Sequence, residues 1–256
     1  MKRRFLYVLG TSLFLAAVIS IPLYFILHVD PTCFDGIANQ GETSPDHGGP
    51  CVLLDGDAIT PSAVLWARGF RVRDGAYAAV AYIENPNSGA GVEKVKYRLA
   101  LYDTENVLVA ERIGYTPIMP GGVTPVFEGG IDTGKRYATH TIFQFLEQPG
   151  WKRMKNVASA VSITRDPIVD LNVMPRLNAK VENKSVSDIR DLEFVAVIFD
   201  PAGNAFAGSQ TALDRLNAGE QTEIVFTWPS PFTITVGRID IFPIHTPEVA
   251  PLTKSK

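Results

Sequence analysis

The chain is poor in the residues that build metal centres and nucleophilic sites. Its 256 residues include only two cysteines and four histidines. The histidines are too far apart in sequence to give the ligand spacing of a zinc site; they are His28, His47, His140 and His245. The sequence also lacks a nucleophile elbow, a Ser-x-x-Lys pair, a zincin helix motif and a phosphate-binding glycine loop. We therefore expect a protein that is not an enzyme and has no catalytic residues and no resident cofactor.

An excess of charge of one sign is also lacking. The chain has 24 Lys and Arg against 27 Asp and Glu, a net charge of −3, and a pI near 5.8. Because nucleic-acid binding leaves a basic footprint, no nucleic-acid partner is expected. The most basic run, Lys152–Lys155, is expected to be a solvated part of a connector. Helical periodicity is missing beyond the N-terminal segment, which favours an all-β fold.

What the sequence does contain is one long apolar run behind a basic N-terminus. Residues 5–27 carry no charged side chain and follow the basic run 2–4. A helix of this length reaches roughly 35 Å, more than the about 30 Å of a bilayer hydrocarbon core. Basic residues stay on the cytoplasmic side. Residues 1–4 are therefore predicted to be cytoplasmic, residues 5–28 to be a single-pass transmembrane signal-anchor, and the remainder to be an extracytoplasmic ectodomain at the cell membrane.

A cleaved signal peptide is the alternative to an anchor. Small residues within 16–20 offer a cleavage site. The apolar run nevertheless continues to Leu27, which favours an uncleaved anchor. A lipoprotein is disfavoured, because residues 30–32 before Cys33 are Asp-Pro-Thr and not the small and apolar residues that normally precede a lipidated cysteine.

Residues 29–57 form a polar segment, called the Cys module below, with too few apolar side chains to build a core. Both cysteines, Cys33 and Cys51, lie in it. An oxidising compartment favours a disulfide between them. Such a bridge would contribute roughly 3 kcal/mol in the chain-entropy model. Two free thiols are the alternative.

Oxygen-bearing side chains are frequent in the Cys module. Calcium is bound by six to eight oxygens on a flexible loop. The module therefore offers a candidate calcium site at Asp35, Asn39, Glu42 and Asp46. The spacing does not follow the EF-hand pattern, and the alternative is that these residues cap turns and keep a coreless loop soluble.

The same residues resemble a short cysteine-bounded motif of bacterial surface and secreted proteins. The module reads Cys33-x-Asp35-Gly36-x-x-Asn39-x-x-Glu42-Thr43-x-x-Asp46-x-Gly48-Gly49-x-Cys51. Members of this family usually have a further cysteine after the second aspartate, where this chain has His47. The departure leaves an even cysteine count, which is compatible with one closed bridge.

From about residue 60 apolar and polar residues alternate. In Val95–Leu101 the odd positions are apolar and the even ones mostly polar, which is typical of a half-buried strand. The segments 78–83, 107–113 and 139–145 are predicted to be strands on the same grounds. His140 is expected on the exposed face of its strand.

The second half repeats the first at an offset of about 98 residues. Three pairs of segments match, namely Ala81–Asn85 with Ala179–Asn183, Tyr97–Asp103 with Phe194–Asp200, and Pro120-Gly121 with Ala218-Gly219. Two copies of one β-sandwich are the economical explanation. We expect the first sandwich in residues 58–165, the second in 166–245, a short linker at 163–167 and a flexible tail at 246–256.

The ends of the two matching strands resemble a known family. Leu101-Tyr102-Asp103 and Ile198-Phe199-Asp200 are similar to the Leu-Tyr-Asp strand of FxLYD-type domains, immunoglobulin-like sandwiches related to the late-embryogenesis-abundant type 2 fold. Tyr97 fills the first aromatic position of the motif, whereas Ala196 and Phe199 depart from it. The resemblance implies two tandem immunoglobulin-like β-sandwiches, in which the aromatic residues pack the core and the aspartate starts a turn. It implies no catalytic residue.

The three tryptophans are expected to pack in cores or between domains. They are Trp66, Trp151 and Trp228, and Trp151 is predicted to be the most exposed because it lies in a loop-like stretch. The function predicted is that of a membrane-anchored structural or interaction protein, which presents two sandwiches to a protein or cell-envelope partner. The alternatives are a calcium-dependent adhesion or sensing module and an enzyme whose site is assembled from loops.

Overall fold

The computed structural model describes residues 2–27, 31–155 and 160–249. It is mostly β with one apolar helix at the N-terminus, as predicted. Helix α1 spans Lys2–Leu27. Its segment Arg3–Tyr24 has a mean hydropathy of 2.1, and none of it is buried against the rest of the chain. By length and composition, α1 qualifies as a membrane anchor or as a signal sequence.

The first half of the described chain forms strands where alternation predicts them. The predicted strands 78–83, 95–101, 107–113 and 139–145 coincide with β2, β3, β4 and β6 to within a residue or lie inside them. The strand bounds are β1 Ala63–Arg73, β2 Ala76–Asn85, β3 Ala90–Tyr102, β4 Leu108–Ile118, β5 Gly122–Asp132, β6 His140–Phe145 and β7 Lys152–Lys155.

These strands pair antiparallel in two sheets. One sheet has the order β1-β2-β5. In the other, β3 pairs with β4 from Val92 to Tyr102, with β6 from Tyr97 to Tyr102 and with β7 at Ala90 and Gly91. A single 3₁₀ turn, Gly56–Ala58, precedes β1.

The second half continues with antiparallel strands in two further sheets. Their orders are β12-β9-β8 and β11-β10-β13, while β14 returns to pair with β7. The bounds are β8 Val161–Arg165, β9 Arg176–Asn183, β10 Ile189–Phe199, β11 Ala205–Leu216, β12 Gln221–Thr227, β13 Arg238–Ile244 and β14 Glu248–Val249.

Each half has its own hydrophobic cluster, with members from both of its sheets. The first cluster includes alternate residues of β2 and β3 together with Val126 and Ile131 of β5, and the second includes alternate residues of β9, β10 and β12. Their largest fully buried members are Ile83, Leu99, Leu101, Ile118 and Ile131 in the first, and Leu177, Leu192, Phe194, Ile198, Leu216 and Phe226 in the second.

A third hydrophobic cluster joins the two halves. It forms between the opposite faces of β2 and β10, and its buried members are Phe70, Val80, Tyr82, Val195, Val197, Phe199, Ala205 and Ile244. The Tyr82 ring lies 4.2 Å from that of Trp66 and 6.2 Å from that of Phe199, centroid to centroid. Gly208 on β11 makes a close approach possible, because a Cβ there would lie 2.9 Å from Cγ2 of Val80. The halves are therefore packed together over apolar faces.

Two buried asparagines occupy matching places in the two halves. Asn85 ends β2 and Asn183 ends β9, and neither is exposed at all. Each side-chain amide donates to two backbone carbonyls, at 2.7 and 2.8 Å for Asn85 and at 2.8 and 3.0 Å for Asn183. The Asn85 acceptors lie at the start of β3 and just after β4, and the Asn183 acceptors lie in the following loop and at the end of β11, so each asparagine ties three parts of its half together.

Two aspartates hold matching turns after β3 and β10. The Asp103 carboxylate accepts a hydrogen bond of 2.9 Å from the Val107 backbone N–H. The Asp200 carboxylate accepts one of 2.7 Å from the Asn204 backbone N–H. Chiefly because of these bonds, the pKa of each carboxyl lies below its ordinary value, and Arg136 lowers that of Asp103 further. Both aspartates thus start turns, as the sequence predicts.

Acid is expected to destabilise the protein through these two turns. A carboxyl with a lowered pKa in the folded state stabilises that state above its unfolded pKa of 3.8, and this contribution is lost as the pH falls through the folded pKa. We therefore expect the melting temperature to begin to fall near pH 4 and to decrease further below it. Thermal unfolding between pH 7 and pH 2 measures this. The variant carrying Asp103→Asn and Asp200→Asn should lose less stability over that range, and an equal loss would contradict the assignment.

Three expectations about the connectors differ from the structure. The basic run Lys152–Lys155 is strand β7, in which Met154 is buried and Lys152 forms an ion pair with Glu93. The expected linker at 163–167 overlaps strand β8, which pairs with β9 and so belongs with the second half. Within the expected flexible tail, Glu248–Val249 form β14, and residues 250–256 lie outside the described part.

Candidate functional site

A cleft of about 380 Å³ opens beside the third hydrophobic cluster, where β1 approaches β11. Its walls are residues 68–72 of β1 and residues 205–208 of β11. Its third side is the segment 228–234, which connects β12 to β13 and is called the proline segment below. The cleft is therefore built by both halves of the chain.

Aromatic side chains give the cleft a fixed apolar lining. The Phe232 ring lies 5.2 Å from the Phe206 ring and 5.3 Å from the Trp228 ring, in edge-to-face arrangements. Trp228 is buried, and its indole Nε1 donates a hydrogen bond of 3.0 Å to the Gly208 carbonyl. Phe70 is buried on the β1 side. Packing and the indole bond therefore fix the positions of the lining rings.

The proline segment is attached to the opposite half. The Ser230 hydroxyl donates a hydrogen bond of 2.6 Å to the Val72 carbonyl of β1. Ser230 lies between Pro229 and Pro231, whose rings restrict the backbone φ angle and so stiffen the segment. The proline segment is thus a stiff third side of the cleft, and it is hydrogen-bonded across the boundary between the halves.

The charged groups at the cleft are cationic. Arg68 and Arg71 are exposed on β1, and no aspartate or glutamate is among the described residues that line the cleft. Arg68 Nη1 donates a hydrogen bond of 3.0 Å to the Ala205 carbonyl. Arg71 is engaged with Asp74 and stacks over the Tyr137 ring. Arg68 therefore has no acidic partner among the described lining residues, and the carboxylate on which its charge acts, Asp200, lies outside the lining.

The polar side chains of the cleft include two hydroxyl groups. Ser230 and Thr233 supply hydroxyl groups, but the described lining residues include no histidine or carboxylate that could act as their base. A nucleophile needs a base within hydrogen-bond reach. The arrangement can hold an apolar group beside an anionic one.

The predicted disulfide is present in the Cys module. Cys33 and Cys51 are bonded, with a Cα–Cα distance of 5.5 Å. The module is also fastened to β7: the Arg153 backbone N–H donates to the Val52 carbonyl at 2.7 Å, and the Arg153 guanidinium donates to the Gly49 carbonyl at 2.9 Å. In the opposite direction, the Leu54 backbone N–H donates a hydrogen bond of 3.0 Å to the carbonyl of Trp151, the residue before β7. The module is therefore docked on the body of the protein.

The four candidate calcium ligands lie together and bond to one another's backbone. Asp46 accepts from the backbone N–H of Asp35 at 2.9 Å, and Glu42 accepts from those of Asn39 and Asp46 at 3.3 and 3.2 Å. The pKa of Asp35 is lowered, first of all by the hydrogen bond from the Thr32 backbone N–H. These carboxylates act as turn caps, and calcium binding stays a prediction.

One further group of potential ligands in the module has no free thiolate. Glu42 lies beside Cys33 and Cys51, close enough for the three to share a metal ion. Both sulfur atoms are committed to the disulfide. Because a cysteine binds metal as the thiolate, this group cannot serve as a metal site while the bridge is intact.

The histidines are dispersed in the described structure. His140 is exposed, as predicted, and its ring stacks on Tyr102 at 5.3 Å. His47 is half-buried in its turn, with Nδ1 2.8 Å from the Pro45 carbonyl. His245 is buried and bonds the Thr246 carbonyl through Nδ1, and His28 lies outside the described residues.

The tryptophan predictions are confirmed for two residues and wrong for the third. Trp66 packs in the third cluster and Trp228 in the second. Trp151 is only 8 % exposed, because it joins the first cluster and its carbonyl accepts the Leu54 N–H. The cleft was not predicted, although the string Trp228–Phe232, with two prolines between aromatic residues, marks a stiff apolar segment.

Comparison with known proteins leaves the chain without a family. No family model and no curated protein matches it. A crystal structure of Bacteroides uniformis β-glucuronidase is similar over 69 % of this chain and 22 % of its own, with 13 % identity and a TM-score of 0.19. A β-glucuronidase from glycoside hydrolase family 2 is similar over 86 % of this chain and 26 % of its own, with 11 % identity and a TM-score of 0.19. The chain thus spans about a quarter of these enzymes, and likenesses at such TM-scores carry no argument about its function.

Proposed function

We propose that the chain is a membrane-anchored, extracytoplasmic interaction protein, in which two tandem immunoglobulin-like β-sandwiches present a cleft to a protein or cell-envelope partner. The separate first and second clusters, each with two sheets, support two sandwiches. The matching roles of Asn85 and Asn183 support the interpretation that the two sandwiches are copies of one unit. The apolar helix α1 supports the anchor.

The observation that carries this proposal is the aromatic cleft between the halves. Ligand sites are concave, mostly apolar and formed in advance of binding. The cleft has these properties. Its volume is about 380 Å³, and hydrogen bonds of Trp228 and Ser230 hold its aromatic rings and the proline segment in place. Because the third cluster fixes one half against the other, little ordering is left to oppose binding.

The lining indicates the chemistry of the partner. Aromatic rings can pack against an aromatic or aliphatic side chain, and the guanidinium of Arg68 can donate charge-assisted hydrogen bonds to a carboxylate. An extended segment of a partner protein that carries an apolar residue next to an acidic one satisfies both. This partner segment is the ligand we propose.

Site-specific photo-crosslinking in the native envelope tests the proposal. A photoreactive residue at Ile234, which is 46 % exposed in the cleft, should capture one reproducible partner. The same residue at Val186, which is 97 % exposed and outside the cleft, should not. Arg68→Glu should abolish the capture at position 234, because it places an anion opposite the acidic residue. Equal capture at both positions, or none at either, would contradict the proposed site.

A further inference from the structure

Two large apolar side chains project from the Cys module. Phe34 is 86 % exposed and Ile37 is 61 % exposed. They flank a tight turn, in which the Asp35 carboxylate accepts the Ile37 N–H at 2.9 Å and the Asp46 carboxylate accepts the Gly36 N–H. The polar groups of this turn are satisfied inside the module, so its two apolar side chains are held outward.

The position of this turn along the chain places it close to the end of α1. Phe34 follows Leu27 by seven residues. An extended chain covers at most about 3.5 Å per residue, so Phe34 lies within roughly 25 Å of the helix end. Aromatic and aliphatic side chains are favourable at the boundary between headgroups and acyl chains, where their apolar surface leaves water. The membrane that contains α1 is therefore within reach of both side chains.

The charge of the Cys module indicates which kind of lipid surface it can contact. Residues 29–57 include six carboxylates and no lysine or arginine. An anionic membrane surface attracts basic segments and repels acidic ones. Insertion from this module thus depends on apolar contact and is favoured on a zwitterionic lipid surface.

We propose that Phe34 and Ile37 insert into the headgroup boundary of the bilayer that α1 spans and dock the Cys module on the membrane. The proposal rests on the proposed anchoring by α1. Because the module is bonded to β7 through Val52 and Arg153, insertion also sets the orientation of the sandwiches on the membrane.

Depth-dependent fluorescence quenching tests the insertion. The full chain with Phe34→Trp is reconstituted in phosphatidylcholine vesicles, with and without lipids brominated near the headgroup end of the acyl chain. The emission that the introduced indole adds to that of the wild type should be blue-shifted, and most of it should be lost with brominated lipid. The control is Val186→Trp, at an exposed apolar position outside the module, whose added emission should not be quenched.

Other outcomes separate a failure of the insertion from a failure of the anchoring. Added emission of Phe34→Trp that is unquenched, in protein that floats with the vesicles, would overturn the insertion and leave the anchoring intact. Protein that does not float would overturn the anchoring and the insertion together. Vesicles rich in phosphatidylglycerol should reduce the quenching in Phe34→Trp, and stronger quenching there would contradict the apolar mechanism. Both tryptophan variants should melt at the temperature of the wild type, since the original side chains are exposed.

Discussion

Replacing Asn85 with alanine is expected to lower the free energy of unfolding by about 3 kcal/mol, because it leaves two buried carbonyls without donors. The side-chain amide of Asn85 donates to the Ala90 and Met119 carbonyls, and its oxygen accepts from the Asn87 N–H at 3.0 Å. No water can replace the amide without a rearrangement of the loop, since Asn85 is fully buried. Urea unfolding of the variant and the wild type measures the difference.

Replacing Asn183, the matching residue of the second half, should lower the free energy of unfolding by a similar amount. Asn183→Ala removes donors from the Ser187 and Leu216 carbonyls, so we expect a similar loss of about 3 kcal/mol. Asn178→Ala is the control, because its side chain is half-buried and accepts from Arg176 at the surface; we expect a loss of at most about 1 kcal/mol. A loss at Asn85 or Asn183 no larger than the loss at Asn178 would contradict the role proposed for the pair.

Replacing Val197 with aspartate is expected to cost about 4 kcal/mol and to separate the two halves. Val197 lies on β10 in the third cluster and is fully buried. The carboxylate would be enclosed by Val80, Tyr82 and other apolar side chains without a cationic partner among the cluster members. Because the first and second clusters do not include Val197, the halves should retain their strands. Small-angle scattering should show a larger maximum dimension, and far-UV circular dichroism should remain close to that of the wild type.

The matched control for this variant is Val186→Asp. Val186 is 97 % exposed, and surface substitutions usually change stability by less than about 0.5 kcal/mol. An unchanged maximum dimension in Val197→Asp, with full stability, would show that the third cluster does not hold the halves together.

The sequence was most informative where one face of a strand is buried. In Val95–Leu101 the alternation of apolar and polar residues matches the observed burial of Val95, Tyr97, Leu99 and Leu101 in the first cluster. The disulfide and the apolar helix were also predictable, since each follows from composition within a short segment. These features depend on local patterns, which a sequence displays directly.

The packing of the two halves against each other was not predicted, although two strands have a sequence pattern that indicates burial on both faces. Strands β2 and β10 read Ala-Tyr-Ala-Ala-Val-Ala-Tyr-Ile and Leu-Glu-Phe-Val-Ala-Val-Ile-Phe in large part, with apolar residues on both faces. A strand that is apolar on both faces is buried on both. That pattern indicates a further layer over each strand. It does not say which surface supplies the layer, because this depends on contacts between residues far apart in sequence.

At strand β7 and Trp151, local composition predicts exposure for a segment that is covered in the structure. Three of the four residues of β7 are basic, and Trp151 follows a Pro-Gly pair. Both features are typical of an exposed connector. The segment is instead covered by the Cys module on one part and by β14 on another. The cleft was missed for the same reason, since its walls come from segments more than 100 residues apart.

The position of β7 has a mechanical consequence. The Cys module, which follows α1, pairs through Leu53 with Lys152 and bonds through Val52 to Arg153, the first two residues of β7, and β14 near the end of the described chain pairs with the last two. A tension applied between α1 and Val249 would therefore pass through β7 and a few hydrogen bonds. The cleft and the three hydrophobic clusters would lie off the direct path of the load, so the cleft would keep its shape under that tension.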